Sequence, residues 1–304
     1  MTVDGPAPTP PLTLPSTVTA RRTDSGLDVL SVTNAHGSAE VYLQGAHVTG
    51  WTPTGQDPVL WLSSASSFAP GVPIRGGIPL CFPWFGPRAG DPEAPSHGYA
   101  RLVPWTLTAA SDDDEGTVLT FRLSVPADRA VVDFEGLQAD YEVRVGRSLT
   151  VVLTVTCTGD TPVTFDEAQH TYLQVRDVES TTVSGLEDAG YHDKAAASPA
   201  DARRPAAGVP LVPSGQVDRV YLGTTTPVSV DDGERTLVVT KTGSASTVVW
   251  SPGTEVAGRV TDIAAGEWRQ MVCIETCNVG DAALTLAPGE SHSLGSTYTV
   301  SRDA

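Results

Sequence analysis

Three side chains far apart in the chain, His97, His170 and Glu275, are the groups best suited to moving protons. Glu275 sits in Met271-Val272-Cys273-Ile274-Glu275-Thr276-Cys277-Asn278-Val279, whose apolar neighbours predict a buried strand. The two-residue period of a strand puts Met271, Cys273, Glu275 and Cys277 on one face. A carboxylate there is costly to desolvate unless it is hydrogen-bonded or has work to do, and burial raises its pKa toward the range of a general base. A salt bridge to an arginine is the structural alternative. His170, in Asp166-Glu167-Ala168-Gln169-His170-Thr171-Tyr172-Leu173, falls in a half-buried strand, as a core histidine also would. Two histidines and a carboxylate suit either a metal site or a metal-free acid–base pair acting across a sugar hemiacetal. Short-spaced metal signatures are missing, and the wide separation of 97, 170 and 275 leaves both chemistries open.

Two short runs supply a binding surface. Arg75-Gly76-Gly77-Ile78-Pro79-Leu80-Cys81-Phe82-Pro83-Trp84-Phe85-Gly86 and Ser96-His97-Gly98-Tyr99-Ala100-Arg101 span 27 residues, with three arginines, one histidine and four aromatics. Gly and Pro fix the backbone of such loops. Aromatic faces and guanidinium forks suit a polar, ring-shaped ligand, with or without an anionic group. Asp218, in Val217-Asp218-Arg219-Val220-Tyr221, is a further polar candidate. His36, His47, His192 and His292 fall in turn or edge contexts and are assigned no role.

The elements that must carry these groups are strands. Leu149, Val151, Leu153, Val155 and Cys157 alternate with Thr150, Val152, Thr154 and Thr156, and Leu119–Val125 and Ala39–Leu43 show the same two-residue period. Further strand-like runs are Leu27–Thr33, Tyr141–Val145, Val163–Val175, Ser180–Ser184, Pro227–Val230, Leu237–Thr240, Thr247–Trp250, Gln270–Asn278 and Ala283–Leu286. Helical periodicity is almost absent: Ser63–Phe68 reads as a helix or a helical turn, with a second candidate near Asp188–Tyr191. Asp112–Glu115 reads as a solvated hairpin tip, and Ala195–Val212 as a long surface loop. The chain of 304 residues therefore reads as all-β, a large antiparallel β-sandwich in one domain over 16–304 behind a loose tail, 1–15.

A net charge of −17 opposes nucleic acid and anionic membrane as partners, while leaving room for one small phosphate held by local arginines. No stretch approaches the roughly 18 apolar residues of a membrane span, and the N-terminus lacks the pattern of a signal peptide. Cys81, Cys157, Cys273 and Cys277 form no disulfide framework. On a strand, Cys273 and Cys277 would lie about 13 Å apart at ~3.3 Å per residue, beyond bridging distance. Buried, reduced thiols in a cytoplasmic monomer are expected.

The ordered blocks Gln44-Gly45-Ala46-His47, Pro73-Ile74-Arg75-Gly76-Gly77-Ile78-Pro79, Phe82-Pro83-Trp84-Phe85-Gly86, His97-Gly98-Tyr99-Ala100-Arg101, Asp218-Arg219-Val220-Tyr221 and Val272-Cys273-Ile274-Glu275 resemble the glucose-6-phosphate 1-epimerase branch of the aldose 1-epimerase superfamily. The resemblance runs from about residue 20 to the C-terminus. It implies a galactose mutarotase-like supersandwich, with the sugar in a cleft across one concave sheet and no metal or cofactor. By the same resemblance Glu275 is the general base at the C1 hydroxyl, His170 the general acid at the ring oxygen, and His97 a hydrogen-bonding neighbour. Asp218 and Gln44 contact the sugar. Arg75 and Arg101 hold the 6-phosphate, with Arg88 a weaker candidate. The sequence departs from the family at Trp250-Ser251-Pro252-Gly253, where an Asn-Pro pair usually follows the tryptophan, and in a longer Arg88–Pro95 insert. The implied activity is exchange of hexose 6-phosphate anomers. The alternatives are a mutarotase for unphosphorylated aldoses and a non-catalytic carbohydrate-binding module.

Overall fold

The structure, a computed structural model, describes residues 12–125, 132–198 and 202–301. Two eight-stranded sheets dominate it, and every named strand pair is antiparallel. One runs in space Thr182–Ser184, Val228–Asp231, Thr236–Thr242, Ser291–Ser301, Leu149–Cys157, Leu137–Gly146, Gly116–Leu123 and Trp105–Asp113. The other runs Arg203–Arg204, Tyr191–Asp193, Val217–Leu222, Ser246–Ser251, Met271–Asn278, Glu167–Gln169 and Leu80–Cys81, with Tyr172–Gln174 also paired to Met271–Asn278. A four-stranded meander over Val18–Pro53 and a two-stranded pair complete the fold. Helix makes up 7% of the chain, and among the described residues no helix is long and apolar enough to cross a membrane.

Alternation explains the packing. Leu149, Val151, Leu153, Val155 and Cys157 are all 0% exposed, while the threonines between them face outward. They join one cluster of buried apolar side chains that reaches from Val18 to Tyr298. Met271–Asn278 differs, being buried at all eight positions. Met271 to Ile274 join the main apolar cluster, and Cys277 joins a second, smaller one with Cys81, Ala168, Val220, Val248 and Val279.

Several expectations are corrected. Val163–Val175 is not one strand but three: Val163–Phe165, Glu167–Gln169 and Tyr172–Gln174. It breaks at Asp166, whose carboxylate accepts from the Phe85 and Gly280 N–H groups, and at His170-Thr171. Ser63–Phe68, read as a helix or a helical turn, holds only a turn. The Ser66 N–H donates to the Ser63 carbonyl, and Glu267 accepts from the Ser64 N–H. Asp188–Tyr191 is a turn leading into the strand Tyr191–Asp193, so its helix is absent too. The α-helix that does form, Gly253–Ala257, lies where the sequence departs from the family pattern. Asp112–Glu115 is a hairpin tip, closed by Asp113 accepting from the Glu115 and Gly116 N–H groups. Most of the expected N-terminal tail, residues 1–11, lies outside the described residues.

Leu153 is central in this core and flanked on both sides by strands. Leu153→Ala is expected to lower the unfolding free energy by about 3 kcal/mol, read as a shift of the urea midpoint with unchanged slope.

Candidate active site

Register alone brings the acid–base candidates together. Gln169 lies opposite Thr276 and Tyr172 opposite Cys273, so the two short strands keep one register along Met271–Asn278 despite the break between them. His170 therefore falls opposite Glu275, at the spacing of a cross-strand pair, about 5 Å between Cβ atoms. The side chains meet, with His170 Nε2 3.4 Å from Glu275 Oε1. Glu275 is 1% exposed and His170 7%. Tyr172, two residues on and on the same face, stacks flat on the His170 imidazole with ring centres 4.8 Å apart. Trp250 packs edge-on against both rings at 6.1 and 6.2 Å.

The same alternation continues across the floor. Val248 lies opposite Glu275, and Val220 opposite Val248. Asp218, two residues from Val220 and opposite Trp250, shares this face. Loops form the walls. His97 has φ 66°, and its ring centre is 5.7 Å from that of His170 and 4.7 Å from Phe85. Its Nδ1 accepts a hydrogen bond from the Gly86 N–H, which leaves the proton of the neutral ring on Nε2. The next residue must be glycine. Gly98 has φ 74°, and a Cβ there would lie 2.0 Å from the Phe82 carbonyl oxygen.

Arg75 emerges from an extended run threaded between Trp61–Ser63 and Val48. Gly77, at φ 63°, lets the chain pass there, since a Cβ would lie 2.2 Å from the Val48 carbonyl oxygen. The Arg75 guanidinium donates to Asp262 at 3.1 Å and to the Tyr172 hydroxyl at 2.9 Å. Arg101 donates to the Ser96 carbonyl, and its Nε is buried without a protein partner. Two further buried atoms at the same place lack partners, Nδ1 of His170 and Oε2 of Glu275.

Burial sets the electrostatics. It pushes Glu275 well above the usual carboxylate range, Asp218 adds to the rise, and Lys194 and Arg101 oppose it. Burial pushes His170 well below the usual imidazole value, helped by the charges of His97, Arg101 and Arg75. His97 is pushed down to about 3, first by burial and then by Arg101, Lys194 and Arg75. Asp218 is raised by burial and lowered by Lys194. Both shifts favour the uncharged forms of the pair, and moving a proton from Glu275 to His170 turns a neutral pair into an ion pair. Among the described residues no three His, Cys, Asp or Glu side chains converge in an arrangement that could hold a metal ion.

Of the residues singled out from the sequence, the structure brings His97, His170 and Glu275 together, with Arg75 bonded to the adjoining Tyr172 and with Asp218 and Arg101 near enough to act on Glu275. Two other candidates have different surroundings. Gln44 is buried, its amide nitrogen donating to the Val72 carbonyl and its amide oxygen accepting from the Gly71 N–H. It braces the loop before Arg75 instead of facing a ligand. Arg88 is held by Asp91 and Asp133 and lies over Trp84 and Phe134, as a brace of the rim. His47, assigned no role, is buried and donates to the Gly76 carbonyl at 2.7 Å, with its pKa pushed down to about 4 by burial. Lys194 was also missed. It lies opposite Asp218 at the end of Tyr191–Asp193, with Nζ 5.0 Å over the Phe85 ring. The one signal for it is its rarity, since the chain has two lysines.

The chain matches the family model described as Aldose 1-epimerase over residues 28–299. A Salmonella typhimurium protein named "Putative glucose-6-phosphate 1-epimerase" is 36% identical over 266 residues, covering 85% of this chain and 86% of that one. An Escherichia coli protein of the same name is 34% identical, covering 86% of each. A crystal structure described as a putative mutarotase from Salmonella typhimurium superposes with a TM-score of 0.87 at 30% identity, over 96% of both chains. The all-β, two-sheet architecture expected from the sequence is that of this neighbour.

The buried pair makes stability depend on pH in a stated direction. Glu275 has a folded pKa above its ordinary 4.5, so its contribution declines as pH rises from about 4.5 through the folded value. His170 has a folded pKa below its ordinary 6.5, so its contribution declines as pH falls below about 6.5. Glu275→Gln removes the first cost. Thermal melts at pH 8 are expected to show a rise of about 2–4 °C, the effect of roughly 1 kcal/mol in a domain of this size. The gain should vanish toward pH 4, where the unfolded carboxyl is protonated as well.

Proposed function

The chain belongs to the aldose 1-epimerase family, and on that premise we propose that it interconverts the α and β anomers of a hexose 6-phosphate, glucose 6-phosphate first, by metal-free acid–base ring opening. The observation that carries this reading is the buried His170–Glu275 opposition, whose Nδ1 and Oε2 atoms have no partner among the described residues, beside two arginines. The Glu275 carboxylate takes the proton from O1 while His170 delivers one to the ring oxygen. The C1–O5 bond breaks, C1–O1 becomes the aldehyde carbonyl, and rotation about C1–C2 followed by closure on the other face gives the second anomer. The pair ends with the same number of protons it began with, and microscopic reversibility runs closure through the same two groups.

His97 supports this chemistry as a neutral donor. Its Nδ1 is already occupied by the Gly86 N–H, so its Nε2–H is the end free to hydrogen-bond at the ring oxygen. Trp250, only partly buried, supplies a flat apolar face against which a pyranose ring can lie. The guanidinium groups of Arg75 and Arg101 both act on His97, His170 and Tyr172, which locates positive charge beside the acid–base pair. A phosphate on C6, one bond from the ring beside O5, reaches that charge when O5 is at His170.

Glu275→Gln is expected to lower enzymatic anomer exchange of glucose 6-phosphate, followed by NMR, about 10³-fold while leaving binding within about threefold. Unchanged exchange would remove Glu275 as the base. Arg75→Ala and Arg101→Ala are each expected to raise KM for glucose 6-phosphate about tenfold or more with little effect on free glucose. Equal effects on the two sugars would favour the mutarotase for unphosphorylated aldoses. Binding without any exchange would favour the non-catalytic module.

A further inference from the structure

Lys194 is the one cation at the cleft that the proposed reaction does not use. It lies directly opposite Asp218 on the neighbouring strand, its N–H donating to the Asp218 carbonyl at 2.7 Å. Cross-strand neighbours of opposite charge ordinarily close on one another. These two do not, and among the described residues Lys194 has no carboxylate partner at all, in a chain with 36 acidic residues. Its long side chain instead reaches over the cleft face to the Phe85 ring, which itself packs on His97. A half-buried carboxylate and an exposed ammonium are thus cross-strand neighbours, close enough for Lys194 to lower the Asp218 pKa yet without an ion pair between them, an acceptor beside a donor. A sugar hydroxyl, which both donates and accepts, fits between them.

The order of groups across the sheet assigns the hydroxyl. Arg75 bonds Tyr172, which stacks on His170; the next strand carries Glu275, and beyond Ser246–Ser251 come Asp218 and then Lys194. A hexose 6-phosphate presents its groups in the same order, with phosphate and C5, then O5, then C1 with O1, then C2. With O5 at His170 and O1 at Glu275, the carbon following C1 lies toward Asp218 and Lys194.

We propose that Lys194 is a substrate-contacting residue that donates to the C2 hydroxyl, with Asp218 as the matching acceptor, and so sets discrimination at C2. The proposal rests on the epimerase reading above and deepens it, since that reading does not rank hexoses. A charged hydrogen bond of this kind makes the site reject a ligand that lacks the hydroxyl.

The test pairs a ligand deletion with a side-chain deletion. Anomer exchange is measured by NMR for glucose 6-phosphate and 2-deoxyglucose 6-phosphate with the wild-type chain, Lys194→Met and Lys194→Arg. The wild type is expected to prefer glucose 6-phosphate about tenfold or more in kcat/KM. Lys194→Met should shrink that preference to within about twofold by losing rate on glucose 6-phosphate alone, and Lys194→Arg should keep most of it. Thermal melts check that both variants stay folded, as expected for an exposed side chain. A wild type with no preference, or a Lys194→Met chain that loses rate equally on both sugars, overturns the proposal. If the wild type exchanges free glucose but not the phosphate, the 6-phosphate reading fails alone, and glucose against 2-deoxyglucose tests Lys194 in the same way. A wild type that exchanges neither takes both readings down.

Discussion

A carboxylate sealed between a sheet and its loops is the constraint around which the rest is arranged. Glu275 sits in a strand buried at all eight positions, where an ionised oxygen loses its water without gaining a full set of donors. Burial alone would hold it protonated and inert. The opposing imidazole of His170 changes that, because the same burial disfavours charge on the ring, and one proton is left to be shared across 3.4 Å. Both shifts favour the uncharged forms, so the pair holds its proton beside two buried atoms that no protein group among the described residues satisfies. The sheet provides the distance through register, and the register survives the break at His170 because both flanking strands pair with the same neighbour.

The walls depend on backbone as much as on side chains. Arg75 and His97 sit on chain segments that pass within contact of neighbouring carbonyls, at places where only a residue without a side chain fits. Buried hydrogen bonds then hold these segments. His47 grips the Gly76 carbonyl and Gln44 grips the loop at Gly71 and Val72. Neither reaches the floor of the cleft, yet both fix the approach of the first arginine. A residue whose identity resembles a ligand contact can thus serve one layer further out, as Gln44 does.

Much of this was legible in the sequence, for reasons that also explain the gaps. Leu149–Cys157 was delimited to the residue because each of its inward positions is apolar and three of its four outward ones are threonine. Ser291–Ser301, the longest strand, was missed because its outward face is serine and threonine paired with Thr150, Thr154 and Thr156, and few apolar residues mark its period. Val163–Val175 read as continuous because apolar content does not record where a hydrogen-bond ladder switches partners. Glu275 stood out as a charge among apolar neighbours, whereas its pairing with His170 depends on strand register that no spacing of 105 residues encodes. Lys194 carried no local pattern at all, since its role comes from lying opposite Asp218 after the chain has folded.

The ion pair between Arg75 and Asp262 has a consequence for what the cleft accepts. An arginine already neutralised by an internal acid gives little to a visitor bearing one negative charge, because the exchange swaps one anion for another. A group with two negative charges gains from the swap. Phosphate esters acquire their second charge near pH 6, so on the proposed 6-phosphate reading this internal counter-ion favours a doubly charged ligand over a singly charged one and ties its binding to the ligand's own ionisation.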